Sequence, residues 1–289
     1  MNKSRIQIVP LTSFGLGIYF PDFQSDSALA YAELRRLLHQ HGIVLLDRQA
    51  TEPSSYTALA ESLGVLEMTY PPPHRLPGSP YIRLQSNRPN VGVSGGGMYW
   101  HADSAWYDPP AVATLLLCQE APATGGETSF VDMRAVLNAL PNDLRAKIES
   151  LEGWYPCRAT MEKEYQVMGL PISENLREVR DFRRPLVRKH PVTSEAALYL
   201  NEKWLDCIHG LQDDESKSIL DALYSAVASS PCHYRHSWKE GQILIWDNNV
   251  VAHKALCSSK DCYKTTWRLI VERFHPPGGP DKPREIRAN

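Results

Sequence analysis

Apolar residues recur at helical spacing over residues 27–41 (SALAYAELRRLLHQH), with Leu34, Leu37 and Leu38 on one face and Gly42 as a stop. The spacing predicts a helix there, then a short buried strand in GIVLLD and a second helix over 55–63 that ends at Gly64. From about residue 81 the texture changes to short strand-like runs: YIRLQS, MYWHAD, AVATLLLC, TSFVDM, LVRKHP, ALYLN, HYRHSW, QILIWD and WRLIVERF. Turn clusters such as PPPHRLPGSP, RPNVGVSGGG, APATGG and WDNN separate them. A further helix is expected over 213–228, with acidic residues at its N-terminal end as the helix dipole favours. Many short strands between Gly- and Pro-rich turns predict a mainly β fold, a sandwich or barrel, with flanking helices. Neither a repeat nor a linker divides the chain, so one domain is expected over 1–289. It would comprise an αβ segment about 27–65, a β core about 81–275 with a helical, charged insert about 134–228, and a disordered tail 276–289.

Composition narrows the function classes. The 289 residues carry 31 basic and 33 acidic side chains, a net charge of −2, which argues against nucleic acid as a partner. There is no run of 18 apolar residues to cross a membrane and no secretory h-region in MNKSRIQIVPLTSF, so a cytoplasmic protein acting on a small molecule is expected, alone or as a homo-oligomer. Cys118, Cys157, Cys207, Cys232, Cys257 and Cys262 form no Cys-x-x-Cys pair and read as free thiols. His233 and His236 lie three apart on an expected strand, on opposite faces, which argues against a zinc site there.

The candidate chemistry starts at His101-Ala102-Asp103. On a strand, residues i and i+2 share a face, so both side chains can reach one metal ion. Two histidines and a carboxylate on one face of iron leave positions open for O₂ chemistry. The His-x-acid pattern is cheap, since about one is expected by chance in a chain of this composition, so context carries the weight. His253, in QILIWDNNVVAHKAL, is a candidate second histidine. Downstream, Arg268, Ile270, Glu272 and Phe274 would share one face of a strand, where Arg268 could clamp a dicarboxylate bidentately. Thr128, just after the Gly-Gly turn of APATGGETSF, could support the same carboxylate.

In this order, WHAD, PPAVATLLLCQEAPATGGETSFVDM, IWDNNVVAH and WRLIVERF resemble the taurine/2,4-D dioxygenase (TauD/TfdA) family, from about residue 30 to 275. The resemblance implies a double-stranded β-helix core, a jelly roll of the cupin-like kind, and an Fe(II)- and 2-oxoglutarate-dependent oxygenase. It implies that His101, Asp103 and His253 hold iron, that Thr128 and Arg268 bind the distal carboxylate of 2-oxoglutarate, and that Trp246 packs near the site. The expected reaction couples O₂-dependent decarboxylation of 2-oxoglutarate to succinate and CO₂ with oxidation of a substrate C–H: hydroxylation, desaturation or cyclisation.

The chain also departs from the family pattern. Where the taurine-type enzymes carry an anion-binding Arg four residues after the 2-oxoglutarate Arg, this sequence has Glu272. Arg273 would face the other side of an unbroken strand, unless a β-bulge intervenes. This departure favours an amino acid or amino-acid-derived metabolite of natural-product biosynthesis as substrate, with Glu272 meeting an amine or hydroxyl. A sulfonate or aryloxy acid is the alternative, and a zinc-dependent hydrolase or lyase is the alternative of another class. Asn87 and Tyr99, near the glycine-rich loop before the metal motif, are further candidate substrate contacts. The charged stretch 155–185 is expected to cover the mouth, and His74, His190 and His209 read as ordinary histidines.

Overall fold

The computed structural model describes residues 7–11, 13–19, 27–47, 52–68, 74–93, 97–167, 179–256 and 263–275. In chain order these form β1 (Gln7–Pro10), β2 (Leu16–Tyr19), α1 (Ser27–His41), β3 (Ile43–Leu46), α2 (Pro53–Glu61), β4 (Gly64–Leu66) and β5 (Arg83–Ser86). There follow β6 (Ala113–Glu120), β7 (Thr128–Asp132), α3 (Met133–Ala139), α4 (Asn142–Ile148), β8 (Glu152–Tyr155) and α5 (Cys157–Val167). The last third holds β9 (Phe182–Pro185), β10 (Val187–Lys189), β11 (Ala196–Leu198), β12 (Cys207–Ile208) and α6 (Asp213–Ser229). It closes with β13 (His233–His236), β14 (Ile243–Asp247), β15 (Val251–Ala255) and β16 (Thr265–Phe274).

The helices follow local chemistry. Gly42, at φ +74°, takes the left-handed turn that ends α1, and its amide donates to the Leu38 carbonyl at 2.7 Å. Pro53 opens α2, where a missing amide proton costs nothing. Asp213, Asp214 and Glu215 occupy the first turn of α6, and Ile219, Leu220, Leu223 and Val227 form its buried stripe.

The fold is mostly β. The larger sheet runs β1-β2-β3-β14-β6-β16-β4, and β5 shares with β4 the outer edge of β16. All its pairings are antiparallel except β2 with β3. A smaller antiparallel sheet has the order β13-β7-β15. Runs such as IVLL and ATLLLC are apolar without alternation because both faces of the larger sheet are buried. Leu115, Leu117, Ile243, Ile245, Leu269 and Val271 pack with Leu34, Leu38, Tyr56 and Leu59 of α1 and α2. Leu116, Cys118, Leu244 and Trp246 belong to a second cluster with Phe130 and Val131 of the smaller sheet. Polar chemistry therefore has to come from inward-facing positions between the two sheets.

Two expectations need correction. MYWHAD is not a strand: His101 makes an isolated bridge to His253, while Trp100 pairs with Glu202 instead. Adjacent residues thus bond to different neighbours, and the chain turns away at Ser104, at φ +50°. In β16 the register against β4 shifts between Val271 and Arg273, so the even-numbered face does not continue unbroken to Phe274. The tail 276–289 lies outside the described residues, as does 168–178 of the stretch expected over the mouth.

Candidate active site

His101, Asp103 and His253 converge: one potential ligand atom from each lies within 4.8 Å of the others. The reciprocal backbone bonds between His101 and His253, at 3.0 and 2.9 Å, bring the two imidazoles together, with ring centroids 4.2 Å apart. His253 sits on β15 opposite Phe130, and its ring is packed by Phe130 and Trp246. The His101 Nδ1–H donates to the Tyr99 carbonyl at 2.8 Å, leaving the Nε2 lone pair free. Gly97 is required beside it, because a Cβ there would come within 2.9 Å of His101 Cε1.

Both carboxylate oxygens of Asp103 are held. Thr114 Oγ1 donates to Oδ2 at 2.9 Å, and Arg268 Nη1 donates to Oδ1 at 2.9 Å. Asn248 completes this frame: its Nδ2 donates to Thr114 Oγ1 at 3.0 Å, and its Oδ1 accepts from the Asp103 amide and Trp246 Nε1. The next residues are clamped from outside. Asn201 Nδ2 donates to the Ala102 carbonyl, while Arg184 donates to the carbonyls of Ala105 and Tyr107.

The electrostatics suit a divalent cation. Burial alone would raise the Asp103 carboxyl, but the charge of Arg268, with the Thr114 hydrogen bond, outweighs it and holds it ionised. Burial first, then the neighbouring His101, push His253 down to about 3, and burial likewise lowers His101. One carboxylate and two neutral imidazoles, each with a lone pair at a common point, are a donor set that fits Fe(II).

A second polar group lies along the small sheet from His253. Thr128, two positions from Phe130 on β7 and therefore on the same inward face, is buried and accepts from Trp238 Nε1 at 3.0 Å. Lys264 Nζ donates to the Gly126 carbonyl at 2.7 Å and lies 5.6 Å from the Trp238 ring centroid. His236 pairs with Thr128 in register and stacks edge-on against Trp238. Its Nδ1 is bonded to Tyr234 Oη at 2.8 Å, and its Nε2 is buried. Thr128 and Arg268 are not bonded to each other here: Arg268 donates to Asp103, and Lys264 lies beside the Thr128 segment.

Arg268 has company that sequence reading missed. In the β5–β16 register it lies directly opposite Arg83, on the same face. Burial first, then repulsion from Arg268, push Arg83 down to about 9. Glu67, which accepts from Ser104 Oγ at 2.5 Å, is raised to about 7 by burial, with Glu272 and Asp103 adding to the rise. Glu272 thus belongs to the same electrostatic neighbourhood as Glu67 and Tyr107.

Among the other candidates, Trp246 is buried against His253, and the Tyr99 ring lies 4.8 Å from that of His101. Asn87 is exposed, and its Oδ1 accepts from the Lys264 amide at 2.7 Å at the start of β16. Residues 94–96 of the glycine-rich loop lie outside the described residues, as do Cys257 and Cys262. Cys118, Cys157, Cys207 and Cys232 are free. His190 is not an ordinary histidine. With His39 it bonds Asp247 Oδ2, at 2.8 and 3.1 Å, in a second buried His–His–Asp group. The amides of Val192 and Thr193 donate to His190 Nδ1, so its Nε2 carries the proton given to Asp247 and has no lone pair for a metal.

Comparison with known proteins bears on this geometry. The model of the "Taurine catabolism dioxygenase TauD, TfdA family" matches residues 7–265. An (S)-phenoxypropionate/alpha-ketoglutarate-dioxygenase of Sphingobium herbicidovorans is 27% identical over 258 residues, 84% of this chain and 83% of that protein. An alpha-ketoglutarate-dependent sulfonate dioxygenase of Saccharomyces cerevisiae is 28% identical over 290 residues, covering 95% of this chain and 69% of the relative. The crystal structure of a taurine dioxygenase from Burkholderia xenovorans superposes with a TM-score of 0.76 at 23% identity, covering 92% of this chain and 89% of that one.

Proposed function

Because the chain belongs to the TauD/TfdA family of dioxygenases, we propose that it oxidises a C–H bond of a small organic acid, with Fe(II) held by His101, Asp103 and His253. It is a 2-oxoglutarate-dependent dioxygenase, with Fe(II) as cofactor and 2-oxoglutarate and O₂ as co-substrates. The observation that carries the site assignment is the convergence of these three donors in the protonation states a divalent ion needs. The two facing sheets support a jelly-roll reading of the core. Bound there, Fe(II) supplies the oxidising chemistry, with succinate and CO₂ formed from 2-oxoglutarate.

The protein's own groups have separable tasks. Thr114 and Asn248 fix the Asp103 carboxylate, and the Tyr99 carbonyl fixes the His101 tautomer. For the distal carboxylate of 2-oxoglutarate, Lys264 takes the role expected of Arg268, beside Thr128. His236, whose Nδ1 is bonded to Tyr234 Oη, lies beside them as a further polar group. Arg268 is released to the substrate side, where it steadies Asp103 and meets an anionic head group.

The relatives named above act on phenoxypropionate and sulfonate, which supports an organic acid and lends nothing to an amino-acid or natural-product substrate. A zinc hydrolase is not favoured by family membership. The test is aerobic turnover with Fe(II) and 2-oxoglutarate across a panel of aryloxy acids, sulfonates and amino acids. Acid-stimulated succinate release that disappears in His101→Ala supports the reading. Zinc-dependent hydrolysis without succinate would refute it.

A further inference from the structure

We infer that Arg83 and Arg268 form a single two-guanidinium site for the anionic group of the substrate, with Arg83 as a specificity-determining residue; this rests on the proposed function. The two residues are directly opposite in the β5–β16 register, so their side chains leave the sheet on the same face. Like charges so placed repel, and partial removal from water makes the repulsion stronger. The Nε of each is buried and has no hydrogen-bond partner.

Two of the nearby carboxylates have other partners. Asp103 receives Arg268 Nη1, but it is also the only carboxylate among the three metal donors. Glu67 is held toward its neutral form by burial and accepts the Ser104 hydroxyl. His74 lies in the same field: burial and then the charges of Arg83 and Arg268 push it down to about 4, so it is a neutral imidazole, and its Nδ1 is also without a partner. Two cations with unused donors beside a neutral polar ring are a receptor for a carboxylate or sulfonate, which accepts from both forks at once.

With Lys264 as the cosubstrate cation, Arg268 stands four residues further along, and the second guanidinium comes from across the sheet. Arg268 touches Asp103, so an anion seated on the pair has its neighbouring carbons beside the metal.

The test reads anion binding to the full-length protein without metal, by thermal unfolding and calorimetry, using sulfate, ethanesulfonate and phenoxyacetate, with neutral phenoxyethanol as control. The anions should stabilise the wild type and phenoxyethanol should not. Arg83→Gln should weaken the anions by about tenfold or more, with partial rescue in Arg83→Lys. Without anion, Arg83→Gln should unfold at the same temperature as wild type or higher, because it removes a like-charge contact. Equal anion binding by Arg83→Gln and wild type, equal binding of phenoxyethanol, or a lower unfolding temperature of the anion-free variant would each overturn the inference. Absence of 2-oxoglutarate binding would instead overturn the proposed function and leave the anion result standing.

Discussion

Thr114→Val isolates the group that orients the metal carboxylate. The substitution nearly conserves volume at a fully buried position but replaces a hydroxyl that donates to Asp103 Oδ2 at 2.9 Å and accepts from Asn248 Nδ2 at 3.0 Å. A hydrogen bond to a charged acceptor contributes about 1.5–3 kcal/mol, and a buried amide left unpaired costs about 1–3 kcal/mol. The two effects overlap, so a net loss of about 2–4 kcal/mol of stability is expected in the metal-free protein, read by urea unfolding. Asp103 also gains freedom to rotate, and loss of such an orienting partner weakens metal binding by about 10–100-fold, read by Co(II) titration. Adding Asn248→Ala to Thr114→Val should cost less than Asn248→Ala alone, since the shared bond is already gone. A Thr114→Val protein with an unchanged urea midpoint and Co(II) affinity within about twofold of wild type would refute the orienting role.

Three other perturbations follow from the site and its surroundings. Asp247 is depressed to about 2 by the His190 and His39 hydrogen bonds against its burial, so its stabilisation is present above its unfolded value near 3.8 and is lost as pH falls through about 2. Asp247→Asn should therefore lower stability by about 2 kcal/mol at pH 7, and the gap from wild type should close between pH 4 and 2 in urea unfolding. Glu67 has the opposite sign: raised to about 7 from 4.5, it favours the fold when protonated, and stability is lost as pH rises from about 4.5 through 7. Glu67→Gln should match wild type at pH 4 and exceed it at pH 8 by about 1–2 kcal/mol. Gly97→Ala, at φ +71° and 2.9 Å from the His101 ring, should leave a folded protein with several-fold weaker Co(II) binding, read from the visible spectrum.

The metal donors were legible because His101, Asp103 and His253 lie inside motifs whose order survives in the chain, although the assumed strand geometry around His101 was not right. Helices α1 and α6 were legible from apolar spacing and end signals, since their stripes meet one core each. Other features depend on contacts no single stretch displays. Arg83 becomes part of the site only through a register 185 positions away (268 − 83 = 185). Thr114 looks like a strand filler in AVATLLLC until Asp103 is placed against it. Lys264 left a weak signal: it lies four residues before Arg268, a spacing that shares a face on a strand, but CSSKDCYK reads as a loop. His190 acquires meaning only when the ends of α1 and β14 meet it at Asp247.

The central claim is that one Fe(II) at His101, Asp103 and His253 receives 2-oxoglutarate held at Lys264 and Thr128. Its most direct measurement is the visible charge-transfer band on anaerobic titration of the Fe(II)-loaded protein with 2-oxoglutarate. Wild type should show a band, His101→Ala none, and Lys264→Met should require at least about tenfold more 2-oxoglutarate. Arg268→Met should shift the titration far less. No band in wild type would contradict the account as a whole, and a large shift in Arg268→Met with none in Lys264→Met would contradict the assignment of the cosubstrate clamp.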